Sequence, residues 1–132
     1  MDQVLPTSKS TPKGSILVVE DSPDLLTLIS EALSIEGHSI TAVRNGVEAM
    51  AFLAANPAPD LVLCDLVMPD MNGGELIRRL RENKKWATTR VIVISGANKV
   101  GEKAAAAGAD SFLAKPFDID KLYSSVSREL LH

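Results

Sequence analysis

The 132-residue chain has the length of one domain and is long enough to bury a hydrophobic core. Its 45% hydrophobic and 23% charged residues are ordinary for a soluble globular protein, and its net charge of −3 argues against a basic nucleic-acid-binding surface. The sequence shows no apolar run long enough for membrane insertion and no signal peptide, so we expect a cytoplasmic protein.

The first 13 residues are rich in Pro, Ser, Thr and Lys and contain few large apolar side chains. This composition predicts a disordered tail or an expression remnant, followed by a single domain over residues 14–132. The first strand is predicted over residues 16–20, and Ser22 with Pro23 is typical of the start of a helix. Gly37 marks the predicted end of that helix.

Strand and helix patterns alternate along the rest of the chain. Further strands are predicted over residues 38–43, 61–64, 91–94 and 111–113. Helices are predicted from residue 45 to 56, after the turn near residue 73, over 99–107 and from 118 onward. Five such units indicate an α/β fold with an open, doubly wound, five-stranded parallel sheet. The single cysteine, Cys64, lies in the most apolar strand and is expected to be a buried hydrophobe.

Polar residues end or follow four of these apolar runs. They are Glu20, Asp21, Asp65, Ser95 and Lys115. Because the carboxyl ends of parallel strands share one edge of the sheet, these side chains can converge on one site. Three carboxylates repel one another there, and a hard divalent cation such as Mg²⁺ relieves that repulsion. A lysine and a hydroxyl suit an anion, so the pattern predicts Mg²⁺ beside a phosphoryl group, with an aspartate as a competent nucleophile.

Together and in this order, these motifs resemble the receiver domain of two-component response regulators. The matching segments are Glu20-Asp21, Asp65 with residues 68–73, Ser95-Gly96-Ala97 and Lys115-Pro116-Phe117. The resemblance covers residues 15–131 and implies a (βα)5 fold with the flavodoxin-like strand order 2-1-3-4-5. The departures are a Glu-Asp pair in place of Asp-Asp and a serine in place of threonine at position 95, and both fit the family.

The resemblance implies a phosphoacceptor with a metal beside it. Asp65 would accept phosphate from a histidine kinase or a histidine phosphotransfer protein. Asp21, Asp65 and the backbone carbonyl of Val67 would bind Mg²⁺ (or Mn²⁺), and Glu20 would act through a water molecule. Such a chain catalyses only its own phosphorylation and dephosphorylation.

A receiver also needs a way to report the phosphate. By the same resemblance, Ser95 would bond a phosphoryl oxygen, Lys115 would pair with the phosphate, and Phe112 would be the aromatic switch residue. The signal would pass to a downstream protein target or an output domain through the face formed by the fourth helix, the fifth strand and the fifth helix. Gly101 and the alanines at 104–107 make the fourth helix weak, as a bistable element must be, although alanines also allow close packing.

Two other functions compete with this interpretation. An aspartate-nucleophile phosphatase needs a second aspartate two residues after the nucleophile, where this chain has Val67. A phosphorylation-independent interaction module would have lost an active-site residue, and none is lost. Val67 and Ala97 are small and apolar, which leads us to expect slow to moderate self-dephosphorylation.

Several residues near these motifs have simpler expected roles. Asp70 and Asn72 are expected to form the turn rather than bind a ligand, and Gly73 is expected to serve turn geometry. Pro116 is expected to follow a cis peptide bond, as the resemblance implies. His38 begins an outer strand and is expected to be solvated.

Overall fold

The computed structural model describes residues 13–68, 70–96 and 100–131 of the chain. The strands within them are β1 (Ser15–Val19), β2 (Ser39–Val43), β3 (Leu61–Asp65), β4 (Arg90–Ser95) and β5 (Ser111–Ala114). The helices are α1 (Pro23–Ile35), α2 (Gly46–Ala55), α3 (Gly73–Glu82), α4 (Val100–Ala107) and α5 (Ile119–Leu130). The predicted tail up to residue 12, Ala97 and the predicted helix start at residue 99 lie outside the described residues.

The sheet has the predicted topology. Its five strands pair in parallel in the order β2-β1-β3-β4-β5. Strand order reverses between β1 and β3, so the crevice at their carboxyl ends is the place where open α/β sheets hold ligands.

Alternating side chains of the central strands supply two separate cores. One face, with Leu17, Val62 and Val93, packs against α2, α3 and α4. The other face, with Ile16, Leu63 and Ile92, packs against α1 and α5. All five residues of β3 are buried, as expected for a central strand covered on both sides. None of the helices described is both long and apolar enough to cross a membrane.

Cys64 and Trp86 belong to the first of these cores, and both are buried. Burial raises the pKa of the Cys64 thiol far above its usual range, so the side chain behaves as the small hydrophobe that the sequence predicts. Trp86 lies in the loop after α3 and covers the end of this core, with the Lys85 ammonium 5.7 Å from the centre of its ring.

Four helices begin with a polar capping residue at the carboxyl edge of the sheet. Each capping side chain accepts a hydrogen bond from the backbone N–H group three residues later: Ser22 from Leu25 at 3.5 Å, Asn45 from Glu48 at 2.8 Å, Asn72 from Glu75 at 2.9 Å and Asp118 from Lys121 at 2.8 Å. Each cap satisfies one of the N–H groups that the first helical turn leaves unpaired. Because each cap follows the end of a strand, the positive ends of these helix dipoles lie at the same edge as the predicted site.

The amino-terminal edge of the sheet is held by a compensated ion network. Arg90 Nη2 lies 2.6 Å from Glu129 Oε1 on α5, and Arg90 Nη1 lies 3.4 Å from Asp110 Oδ1. Arg81 Nη2 on α3 lies 2.9 Å from Asp110 Oδ2. Glu129 is buried, so its charge depends on Arg90 for compensation. The network therefore ties α3, β4, α5 and the loop before β5 together, on the side of the sheet away from the predicted site.

The expectation that His38 is solvated is wrong. Its side chain is only 7% exposed, and Nδ1 accepts a hydrogen bond from the Gly14 backbone N–H at 3.2 Å. The entry to β1 covers the imidazole, and this contact spans 24 residues of sequence. Burial, together with repulsion from Lys13, lowers the pKa of His38, and attraction from Glu36 opposes this only in part.

We expect Glu129→Gln to lower the free energy of unfolding by about 1–3 kcal/mol, because it leaves the half-buried Arg90 guanidinium with only its longer contact to Asp110. The matched control is Glu82→Gln, which breaks an exposed pair with Arg78 within α3 and should change stability by less than about 0.5 kcal/mol. Urea unfolding with an unchanged denaturant slope measures both. Equal effects of the two variants would contradict a special role for the buried pair.

His38 should make stability depend on pH. Its pKa is lower in the folded protein than the value of about 6.5 in the unfolded chain, so its contribution is present above about pH 6.5 and is lost as the pH falls below it. Between pH 7.5 and 5.5, the free energy of unfolding of the parent should therefore fall more than that of His38→Asn, by up to about 1 kcal/mol. Parallel pH profiles for the two proteins would show that the imidazole is not held neutral.

Candidate functional site

The structure brings the predicted polar residues to the carboxyl edge of the sheet. Glu20 directly follows β1, Asp65 ends β3, Ser95 ends β4 and Lys115 directly follows β5. Glu20, Asp21 and Asp65 can each present a carboxylate oxygen within 4.8 Å of the other two. Glu20 and Asp65 are buried and Asp21 is exposed, so the cluster opens to solvent on one side.

Lys115 is the cation of the site. Its Nζ lies 2.6 Å from Asp65 Oδ2 and 3.1 Å from Glu20 Oε1. Burial alone would lower the pKa of Lys115, but its contacts with Asp65 and Glu20 outweigh burial and raise it, so the ammonium stays charged. The Lys115 backbone N–H donates to the Ser95 carbonyl at 2.9 Å, and the peptide bond to Pro116 is cis, as predicted.

Glu20 is the most deeply buried carboxylate of the cluster, with no exposed surface. Its Oε2 accepts a hydrogen bond from the Ser22 backbone N–H at 3.0 Å. Its Oε1 faces Lys115 but has no hydrogen-bond partner within the described part of the chain. Burial raises the pKa of Glu20, although the bond from Ser22 and the contact with Lys115 partly oppose the shift.

The charges of the cluster do not cancel. At their formal charges, three carboxylates and one ammonium leave two negative charges (−3 + 1 = −2) in a partly buried crevice. A hard divalent cation with oxygen ligands fits that deficit. Glu20, Asp21 and Asp65 therefore suit Mg²⁺ or Mn²⁺ by charge and by donor type.

The Asp65 carboxylate is held at two points. Oδ1 accepts a hydrogen bond from the Val67 backbone N–H at 3.0 Å, while Oδ2 meets Lys115. The side chain of Val67 is 67% exposed and supplies no polar group to the site. The Asp65 carboxylate is thus oriented by a backbone amide and an ammonium.

The turn after β3 depends on a close approach at Gly73. A Cβ added there would lie 2.2 Å from the Asp65 carbonyl oxygen, and the Gly73 N–H donates to the Leu66 carbonyl at 3.0 Å. The expectation that Gly73 serves turn geometry is therefore incomplete, because what the position requires is space. In the same turn Asp70 has a φ of +69°, which aspartate tolerates, and Asn72 caps α3, so both have the structural roles predicted for them.

Ser95 and Phe112 lie on the same face of the sheet. Ser95 is buried at the end of β4 and pairs in register with Ala114, while Phe112, two residues earlier on β5, pairs with Val93. Side chains two residues apart on a strand share a face, so the ring and the hydroxyl are diagonal neighbours beneath α4. The ring of Phe112 is 48% exposed.

Sequence reasoning missed two contributors to the site. The Ser22 N–H that orients Glu20 could have been inferred, because Ser22 was already assigned as the cap of α1. The space required at Gly73 has no local signal, since it depends on the path of β3 eight residues earlier.

Comparison with known proteins identifies the relatives of the chain. Residues 16–127 match the profile of the response regulator receiver domain. The chain is 36% identical over 111 residues to the transcriptional regulatory protein TcrA of Mycobacterium tuberculosis, covering 83% of this chain and 43% of TcrA. It is 34% identical over 120 residues to the uncharacterized transcriptional regulatory protein YkoG of Bacillus subtilis, covering 89% and 51%. The chain thus spans about half the length of these relatives.

Solved structures give the same result. The signal receiver domain of a signal transduction histidine kinase from Syntrophus aciditrophicus superimposes with a TM-score of 0.82 at 36% identity, covering 89% of this chain and 90% of that one. The chemotaxis response regulator CheY4 of Vibrio cholerae superimposes with a TM-score of 0.82 at 25% identity, covering 89% and 99%.

We expect Gly73→Ala to destabilise the fold by about 3 kcal/mol, because the Asp65 carbonyl that the new methyl group meets is backbone in a buried strand and cannot move away. Gly74→Ala is the matched control. Its Cβ meets only the Asn72 side-chain oxygen, at 3.3 Å, and alanine favours the helix, so stability should change by less than about 1 kcal/mol. Chemical denaturation of both variants provides the measurement, and a tolerated Gly73→Ala would contradict the close approach.

Proposed function

Because the chain belongs to the response regulator receiver domain family, we propose that it accepts a phosphoryl group on Asp65 from a phosphohistidine donor, with Mg²⁺ bound beside it. The observation that carries this proposal is the contact of Lys115 with Asp65 at 2.6 Å inside a cluster of three carboxylates. The donor would be a histidine kinase or a histidine phosphotransfer protein, and we expect the transfer to take place in the cytoplasm, where the ATP used by such kinases is available.

The proposed transfer is an in-line displacement at phosphorus. A carboxylate oxygen of Asp65 forms the new P–O bond as the P–N bond to the donor histidine breaks, and the departing imidazole takes up a proton. Glu20, Asp21, Asp65 and the Val67 carbonyl would hold the metal, whose contribution is to neutralise charge on the phosphoryl oxygens. Lys115 is already at Asp65 and would pair with a phosphoryl oxygen. Ser95 would donate its hydroxyl hydrogen to another.

The same geometry disfavours hydrolysis of external substrates. A phosphatase with an aspartate nucleophile needs an acid or base beside the leaving group. The residue two positions after Asp65 is Val67, which offers its backbone N–H to Asp65 and an exposed apolar side chain to solvent. We therefore propose a phosphoacceptor that catalyses only its own phosphorylation and dephosphorylation.

A phosphoryl group on Asp65 would add a charge of about −1.5 to −2. The conformational response of the domain would follow from this charge. Ser95 would move toward the phosphoryl group, the half-exposed ring of Phe112 would turn inward on the same face, and α4 would shift. The face formed by α4, β5 and α5 would then meet a downstream protein target or an output domain. TcrA and YkoG are named as transcriptional regulatory proteins. More than half of TcrA and about half of YkoG lie outside the matched region.

Intact-mass measurement after incubation with acetyl phosphate and Mg²⁺ tests the phosphoacceptor directly. The parent should gain one phosphoryl group, and Asp65→Asn or chelation of the metal should abolish it. Asp70→Asn is the matched control, since it removes a nearby carboxylate of the same turn, keeps a residue that tolerates positive φ, and should leave the adduct intact.

An adduct on Asp65→Asn would place the phosphate elsewhere and contradict the proposal. If the parent shows no adduct, beryllofluoride provides the second measurement, because it mimics the acyl phosphate without decaying. Failure of both probes would favour the phosphorylation-independent interaction module.

A further inference from the structure

The ring of Phe112 rests on the one glycine within α4. A Cβ added at Gly101 would lie 3.0 Å from Phe112 Cε1 and 3.1 Å from Cζ, closer than the 3.5–4.0 Å at which carbon atoms pack well. We propose that Gly101 is a positioning residue, which leaves the space that holds Phe112 in its outward position and thereby sets how readily the domain adopts its phosphorylated conformation. The inference rests on the function proposed above and adds to it a residue outside the phosphorylation site.

A glycine at this position works against the helix that contains it. Glycine within a helix is about 0.5–1 kcal/mol less favourable than alanine, and α4 uses alanine at four of its eight positions. Alanine is thus readily accommodated elsewhere in α4, but at Gly101 it would meet the Phe112 ring. The half-exposed ring can turn with less disturbance of the fold than a change in the backbone path of α4 would need.

The path of that turn is limited by the sheet. Phe112 and Ser95 share a face, so a ring that leaves Gly101 by turning inward moves along this face toward the site. The groove beside the ring, between α4, β5 and α5, has a volume of about 490 Å³ and is lined mainly by small residues, with Arg128 as its one long side chain apart from Phe112. Apart from Arg128, no large side chain of this groove lining limits the ring, so the contact at Gly101 carries much of the preference.

The expected consequence is a shift in population. A methyl group at position 101 is expected to raise the free energy of the outward position relative to the inward one. The state that binds phosphoryl mimics then becomes more populated before any ligand is present, and the apparent affinity rises in proportion.

Binding of beryllofluoride with Mg²⁺ to Gly101→Ala tests this. We expect apparent affinity about three- to tenfold above the parent. In protein labelled with 4-fluorophenylalanine, the fluorine resonance of Phe112, identified by its loss in Phe112→Leu, should move in the unliganded variant toward the position seen in the beryllofluoride complex.

Two controls separate positioning from helix stability. In a Phe112→Leu background, Gly101→Ala should no longer change the affinity, because the ring it displaces is absent. Ala106→Gly alters the helix propensity of α4 at an exposed position and should leave both the affinity and the Phe112 resonance unchanged.

The outcomes are distinct from those of the proposed function. If the parent binds beryllofluoride but Gly101→Ala shows the parent affinity and resonance, the inference is overturned and the receiver function stands. The inference is also overturned if the gain in beryllofluoride affinity persists in the Phe112→Leu background. It is overturned likewise if Ala106→Gly lowers that affinity, because the effect would then come from the helix propensity of α4. If the parent binds no phosphoryl mimic, the proposed function fails, while a displaced Phe112 resonance in the variant would still support the contact.

Discussion

The contact of Lys115 with Asp65 and Glu20 is the interaction on which the rest of the site depends. Oxygens of the two buried carboxylates lie within 4.8 Å of each other, where like charges repel by about 3–4 kcal/mol at an effective dielectric constant near 20. A cation held between them stabilises that arrangement, and the raised pKa of Lys115 reflects it. One ammonium leaves the cluster negative, so the site still favours a divalent cation.

The fold keeps this charged edge in place by securing the opposite one. Buried central strands fix where Asp65 and Ser95 emerge, and the ion network of Arg90 and Glu129 attaches α5 to the far end of β4. Position at the site therefore comes from rigid elements, while the loops and α4 at the carboxyl edge carry fewer large buried side chains. One edge of the domain is therefore less firmly packed than the other.

Local patterns account for most of what could be predicted. The strands, the caps at Ser22 and Asn45 and the residues at the strand ends are each encoded within a few positions, so the sheet and the members of the site follow from the sequence. The burial of His38 and the space needed at Gly73 depend instead on segments distant in sequence, the entry to β1 in one case and the backbone of β3 in the other. No periodicity or propensity carries that information, because both are properties of packing.

The helix propensity of glycine does not by itself describe the proposed role of Gly101. Propensity alone marks it as a weak point of α4, and weakness by itself would lower the stability of every conformation alike. The contact of Gly101 with Phe112 adds a second effect. A missing side chain that favours the outward ring position over the inward one changes the free-energy difference between the two conformations, not only the stability of both. A switch depends on that difference, so a residue that destabilises a helix can be the one that sets its response.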